Sequence, residues 1–418
     1  MKTFLSVGRI ALLTASCCLF VSAAMATVTN DRYFKFGEGV GENGSPNAVV
    51  GSAVTVGGAL DTLDEVGPSG AYLDLNESGS PLYLNVNSGP KARPGAPAGA
   101  LGIQFDGVDD RLTGVPLNRP DELDNLVTGA YPINYTGILT HGAQAWVYPD
   151  AAGLAANQFQ SLWFDTVLSG GPAISASGKW TQVHSGHNGD GITGAISVVP
   201  NAWQHVMQHN AFREGNSFVS TVYVNGIAVS ATDDTIAIGG AGNYTEELVV
   251  GAGQLSGDGI TGTYGHYFHG AVDEMTMYVA GNNGTNYGTF SLFQDNAWIA
   301  AEIAKAPLNG NLRVGDVNKS GSVTSADATA FIAGWRFEKK FQGAHSVVHA
   351  GDWETWGKGD LNLDGLTDLK DAFILNQALG AAGLAALDLS ALSVPEPSSI
   401  GLTILAAAGV IGASRRRN

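Results

Sequence analysis

The sequence predicts a mainly β protein, a two-sheet jelly-roll sandwich followed by a small α-helical module of paired calcium-loop-and-helix units. Three observations predict it. From Thr27 to about residue 290 the chain is a series of short β-prone runs between Gly, Asn and Asp turns, with almost no helical periodicity. The 57 glycines fall without a three-residue period, which suits a loop-rich β protein rather than a collagen-like fibre. A twelve-residue acidic pattern centred on a glycine then occurs twice near the C-terminal end.

Taken in order, residues 1–26 read as a secretory signal peptide: Lys2 and Arg9, an apolar stretch from Ile10 to Val21, and the small-x-small pattern Ala24-Met25-Ala26. Thr14-Ala15-Ser16-Cys17 is a weaker alternative as a lipidation site, since the apolar run before Cys17 is short. Both cysteines, Cys17 and Cys18, lie in this leader, so the exported chain is expected to have no disulfide, thiolate metal site or cysteine nucleophile. A formal charge of −17 with only 21 Lys and Arg excludes nucleic acid as a partner, because phosphate binding needs basic clusters.

Residues 27–290 are assigned to the sandwich. Phe218 to Val224, Asn225-Gly226 and Ile227 to Ser230 predict a hairpin, because Asn-Gly tolerates the positive φ angles of a type I′ turn. Trp203, His205 and Met207 alternate with Gln204, Val206 and Gln208, as in a strand with one buried face. Trp146 and Trp203 are expected in the core, and His205 is expected to hydrogen-bond inside the fold. Asp106, Asp109 and Asp110 flank a glycine turn, where Asp accepts backbone N–H bonds. Loop aromatics Trp163, Trp180 and Tyr131 are candidate ligand contacts.

Residues 291–311 form a linker with a helical stretch from Asp295 to Lys305, and residues 312–382 form the calcium module. Asp316, Asn318, Ser320, Thr324 and Asp327 supply oxygens at loop positions 1, 3, 5, 9 and 12, Ser322 offers a carbonyl at 7, and Gly321 makes the turn at 6. Asp360, Asn362, Asp364, Leu366, Asp368 and Asp371 repeat the design around Gly365. Apolar stripes follow each loop at helical spacing, Ala328, Phe331, Ile332 and Trp335, then Ala372, Leu375 and Leu379. A hard Ca²⁺ ion takes roughly six to eight oxygens, which makes it the expected cofactor. The second loop carries more carboxylates and is expected to fill first. Residues 383–393 read as linker, and 394–418 join Val394-Pro395-Glu396-Pro397, an apolar run and Arg415-Arg416-Arg417. That run is short for a stable membrane span, and its basic end favours the cytoplasmic side.

Three resemblances attach to these segments. Phe105-Asp106-Gly107-Val108-Asp109-Asp110, Ala145-Trp146-Val147-Tyr148-Pro149, Trp203-Gln204-His205-Val206 with Tyr223-Val224-Asn225-Gly226, and Phe268-His269-Gly270-Ala271-Val272-Asp273-Glu274 together resemble the laminin-G-like, concanavalin-A-like family. That resemblance implies a jelly roll used for carbohydrate or protein binding, with a structural calcium on Glu38 and Asp273 in some members. The paired loops ending in Asp resemble the dockerin family, which implies a cohesin-like partner. The recognition positions here, Ser325-Ala326 and Leu369-Lys370, differ from the family's usual hydroxyls, and an insert from Phe337 to Lys358 widens the loop spacing. The C-terminal segment is similar to the PEP-CTERM sorting signal, which implies an exosortase-type partner and export to the cell surface or extracellular space, with a transient C-terminal membrane anchor.

No enzyme is expected. Glycosidases of this fold need two carboxylates about 5 to 9 Å apart, and Asp273 and Glu274, adjacent on one strand, should point to opposite faces. His184 and His187 are too few for a metal site, and no Gly-x-Ser-x-Gly elbow stands out. The expected function is an exported binding protein, recognising carbohydrate or a surface protein. The alternatives are a cohesin-docking component of a polysaccharide-degrading assembly and a divergent glycoside hydrolase.

Overall fold

In a computed structural model the described residues are 27–34, 36, 50–51, 53, 76–114, 138–165, 170–184, 196–213, 217–235, 248–254, 264–281, 313–343 and 346–392. The leader, Glu38, Tyr131, His187, the helix expected over Asp295 to Lys305 and the C-terminal sorting segment lie outside them. Among the described residues no helix is long and apolar enough to cross a membrane.

Two antiparallel sheets face each other. The larger runs β13 (Ile227–Thr235), β12 (Ser217–Val224), β11 (Gln204–Arg213), β6 (Ile138–Pro149), β17 (His269–Gly281), β4 (Leu101–Asp106) and β3 (Leu82–Asn85), with β1 (Thr27–Phe34) also on β17. The smaller runs β10 (Trp180–His184), β9 (Gly170–Ile174), β8 (Trp163–Asp165), β14 (Leu248–Val250), β5 (Arg111–Gly114) and β2 (Asn76–Ser78), with β7 (Gln160–Ser161) on β9. Two short pairs, β15 (Gly253–Gln254) with β16 (Tyr264–Gly265) and β18 (Lys340–Gln342) with β19 (Val347–His349), stand apart. The helices are α1 (Ala151–Ala155), α2 (Ser325–Gly334), α3 (Trp353–Trp356) and α4 (Leu369–Ala381).

The core between the sheets is apolar because alternate strand residues point inward. Ile103, Phe105, Ala145, Val147, Val206 and Val272 from the larger sheet meet Leu162, Trp163, Ile174, Trp180, Leu248 and Val250 from the smaller. Trp163 and Trp180 are fully buried here, which corrects their assignment as loop contacts for a ligand. The Asn225-Gly226 hairpin forms as the sequence predicts, with φ of 50° and 80° between paired Val224 and Ile227.

On β11 the inward face belongs to Val206, with Gln204 and Gln208 buried beside it. Met207 faces the opposite way and is also buried, because it packs with residues of the 313–392 region. Trp146 alternates with inward Ala145 and Val147, so it too stands on the outer face and is only half-buried, as is Trp203. Both tryptophans were expected in the core. Period-two alternation identified the strands correctly, but the richer aromatic face is the outer one.

His209 lies on β11, 2 % exposed, and burial pushes its imidazole down to about 3. The folded chain therefore keeps it neutral. Below its ordinary 6.5 the unfolded chain takes up a proton that the folded chain refuses, so this contribution is complete above 6.5 and is lost as pH falls toward 3. We expect on the order of 1 kcal/mol of stability to be lost one pH unit below 6.5. Urea midpoints of wild type and His209→Gln across that range test it, the variant giving the flatter profile.

Candidate functional site

The two twelve-residue loops fold on one hydrogen-bond plan. In the first, Asp316 accepts from the Ser320 amide through Oδ1 at 2.9 Å and from the Gly321 amide through Oδ2 at 2.6 Å. In the second, Asp360 accepts from Asp364 at 3.0 Å and Gly365 at 2.9 Å. The last carboxylate of each loop reaches back in the same way: Asp327 to the amides of Asn318 and Thr324, Asp371 to those of Asn362 and Asp368. Asn318 accepts from Ser320 and Asn362 from Asp364, both at 3.0 Å.

The backbone follows suit. Gly321 and Gly365 lie at φ of 90° and 81°, and the residues two before them, Lys319 and Leu363, are also left-handed. Thr324 and Asp368 are the N-caps of α2 and α4, with Asp327 and Asp371 completing capping boxes. Positions 9 and 12 thus belong to loop and helix at once, which is why each loop runs directly into its helix. The apolar stripes land as expected, with Phe331, Leu375 and Leu379 fully buried. Of the position-7 residues, Ser322 accepts the Ser320 hydroxyl through its carbonyl, and Leu366 bridges Glu338.

The donor set is therefore entirely oxygen, carried on glycine-pivoted turns, with Asp316, Asp327, Asp360 and Asp371 no more than 2 % exposed. Burial, reinforced by Asp364 and Asp371, holds the Asp360 carboxyl well above the usual carboxylate range, and burial pushes Asp371 up to about 7. A hard divalent cation on these oxygens would favour their ionised forms. The chemistry of the residues present fits such an ion.

Lys370 was expected only as a recognition residue, yet its Nζ lies 3.2 Å from Asp364 and 4.0 Å from Asp368 in the second loop. The ammonium is 56 % exposed and opposes a cation there. Lys370→Ala is expected to tighten calcium binding a few-fold at low salt, the gain shrinking as ionic strength rises. Isothermal calorimetry at two salt concentrations checks this. Beside it, Leu369 and Phe373, one helical turn apart, are 56 % and 63 % exposed. Phe373 was not anticipated.

A further acidic group lies elsewhere. One ligand oxygen each of Asp106, Asp109 and Asp110 falls within 4.8 Å of the others. Those residues bind the turn itself: Asp110 accepts from the Ser80 and Asp106 amides, and Asp106 from Val108. That is the role the glycine turn implied.

The outer face of the larger sheet carries the second notable constellation. Trp146 meets His205 edge-on at 5.6 Å, and Tyr148 meets Trp203 at 5.4 Å. The loop between β3 and β4 lays Arg93 over Trp146 at 5.2 Å and Lys91 over Tyr148 at 5.0 Å. It is pinned there by the Trp203 indole N–H, which donates to the Lys91 carbonyl at 2.8 Å. A register shift after Asp273 breaks the expected alternation on β17, so Asp273 and Glu274 both reach Arg93, at 2.5 and 2.7 Å. Asp273, named for a structural calcium together with Glu38, is fully buried in this ion pair.

No family model matches the chain, and no curated protein matches it. Solved structures align weakly. The Trypanosoma rangeli sialidase in complex with sialic acid is 13 % identical, covering 64 % of this chain and 35 % of its own, at a TM-score of 0.34. The receptor-binding domain of a botulinum neurotoxin mosaic serotype C/D is 10 % identical, covering 55 % and 47 %, at 0.31. The carbohydrate-binding module CBM40 of a Ruminococcus gnavus sialidase, bound to sialyllactose, is 15 % identical, covering 48 % and 95 %, at 0.28. The chain spans less than half of the sialidase and toxin chains. Likeness at this level carries no argument about ligands.

Proposed function

We propose that this chain is an exported cell-surface or extracellular-matrix binding protein. Its sandwich recognises a polysaccharide, and residues 313–392 form a calcium-stabilised module. The observation that carries the reading is the half-buried aromatic strip of Trp146, Trp203 and His205 on the outer face of the larger sheet. Aromatic rings offer apolar surface with polar edges, the combination on which a sugar ring can rest. The duplicated loop plan supports calcium as the stabilising ion, held by the residues at positions 1, 3, 5, 7, 9 and 12 of each loop.

The reading is non-enzymatic. The carboxylates beside the strip, Asp273 and Glu274, are engaged by Arg93, and Asp273 is sealed from solvent. A glycan array probed with the intact calcium-loaded protein tests the proposal. Retention of one polysaccharide class is expected, with at least a tenfold loss in Trp146→Ala. Release of reducing ends, or binding untouched by that substitution, would overturn it.

A further inference from the structure

The insert that separates the two loops lies between the module and the sandwich. β18, β19 and α3 all belong to it, and Val348 and Trp356 share one buried cluster with Met207, Val219, Tyr223 and Ala228 of the larger sheet. That sheet therefore buries apolar residues on both faces over β11 to β13.

The polar contacts run in a line through the same place. Asp352, fully buried, caps α3 with Oδ1, and its Oδ2 accepts from the Ala228 amide of β13 at 2.9 Å and from Lys339. The Trp353 amide donates to the Gly226 carbonyl in the hairpin turn at 3.1 Å. From the other side of α3, the Thr355 hydroxyl donates to Oδ2 of Asp360, the first residue of the second loop, at 2.7 Å. The Trp356 indole N–H donates to the carbonyl of Asp316, the first residue of the first loop, at 2.9 Å. Contact with the second loop is close enough to require glycine on both sides. A Cβ on Gly351 would lie 2.5 Å from Oδ2 of Asp360, and one on Gly365 would lie 2.5 Å from the Ala350 nitrogen.

We infer that cation occupancy of the second loop and the seating of residues 313–392 on the sandwich are one coupled equilibrium, with the insert as the clasp. The inference rests on the calcium reading above. An empty second loop leaves Asp360 buried among other carboxylates, a costly arrangement that opening of the loop relieves. Opening withdraws the acceptor from Thr355, loosens α3, and uncovers Tyr223 and Met207. Linkage makes the effect reciprocal: truncating the sandwich side must weaken cation binding by the same factor that the cation strengthens seating.

Calcium calorimetry on the intact chain, wild type against Tyr223→Ala, tests this. Tyr223 lies about 90 residues before the nearest loop ligand, Asp316, in sequence, yet the variant is expected to lower affinity at the second loop by roughly tenfold, within the usual range of coupling. Met207→Ala is the second variant, should Tyr223→Ala lose the near-ultraviolet signature of the folded sandwich. Amide exchange at Ala228 and Trp353 should slow on adding calcium, while exchange at Val147 and Val272, deep in the sandwich, stays constant. Tight calcium binding that neither variant changes would overturn the coupling and leave the calcium reading standing. A wild-type chain that takes up no calcium would overturn both.

Discussion

Chelating calcium from the intact chain is expected to unfold residues 313–392 and leave the sandwich folded, so that helicity falls before heating and the remaining melt, of the sandwich alone, has a smaller enthalpy. The physical cause is the burial of Asp316, Asp327, Asp360 and Asp371, whose hydrogen-bond donors within their loops are backbone amides and hydroxyls. Backbone N–H bonds soften the cost of a buried carboxylate but do not cancel its charge. An ion present at about a thousand times its dissociation constant would stabilise the folded module by about 4 kcal/mol per site. Calorimetric melts with excess EDTA and with calcium restored give the readout. Helicity and melting that ignore both would show that the module is held by packing alone.

The second large effect is expected from a single methyl group. Gly334 ends α2 with ordinary helical geometry, so alanine should gain up to about 1 kcal/mol of helix propensity. The added Cβ, however, would overlap the Lys358 carbonyl oxygen and lie 2.6 Å from its carbon. Both are backbone atoms of the segment leading into the second loop, so neither can rotate aside. Overpacking of this kind costs roughly 1–3 kcal/mol or more, and the clash wins. Gly334→Ala is expected to destabilise the module by roughly 1–2 kcal/mol net and to weaken calcium binding at the second loop. Gly380, in α4, has nothing within 4 Å of its would-be Cβ, so Gly380→Ala should stabilise by up to about 1 kcal/mol. Opposite shifts in denaturant midpoint for the two variants check the argument.

The duplicated loop plan was legible because its residue types recur at fixed offsets from a glycine that needs positive φ. The hairpin at Asn225-Gly226 was legible for the same reason. Strand alternation was legible on β6 and β11, but not which face was inside, because the outer face is itself part-covered by residues 313–392. Trp146 and Trp203 were misjudged for a different reason: what half-covers them is the loop between β3 and β4, through Arg93 and Lys91, a contact that no local pattern carries. The convergence of Asp273 and Glu274 on Arg93 depends on a register shift and on a partner about 180 residues away, and neither leaves a local signature. Within the insert, the capping pattern from Asp352 to Thr355 could have announced α3. What α3 sits on is a long-range fact.

The stretch from residue 383, expected to be linker, is packed. Leu387 and Leu392 are buried with the helices, and the Leu387 amide donates to the Asn376 side chain at 2.6 Å. Tension applied beyond Leu392 therefore meets this short strap before it reaches either loop. The strap rests on a few contacts, whereas the insert meets the sandwich through a buried apolar cluster and the buried Asp352 carboxylate. Under load the strap is therefore expected to yield first, while the two glycine-centred loops and the larger sheet stay in place.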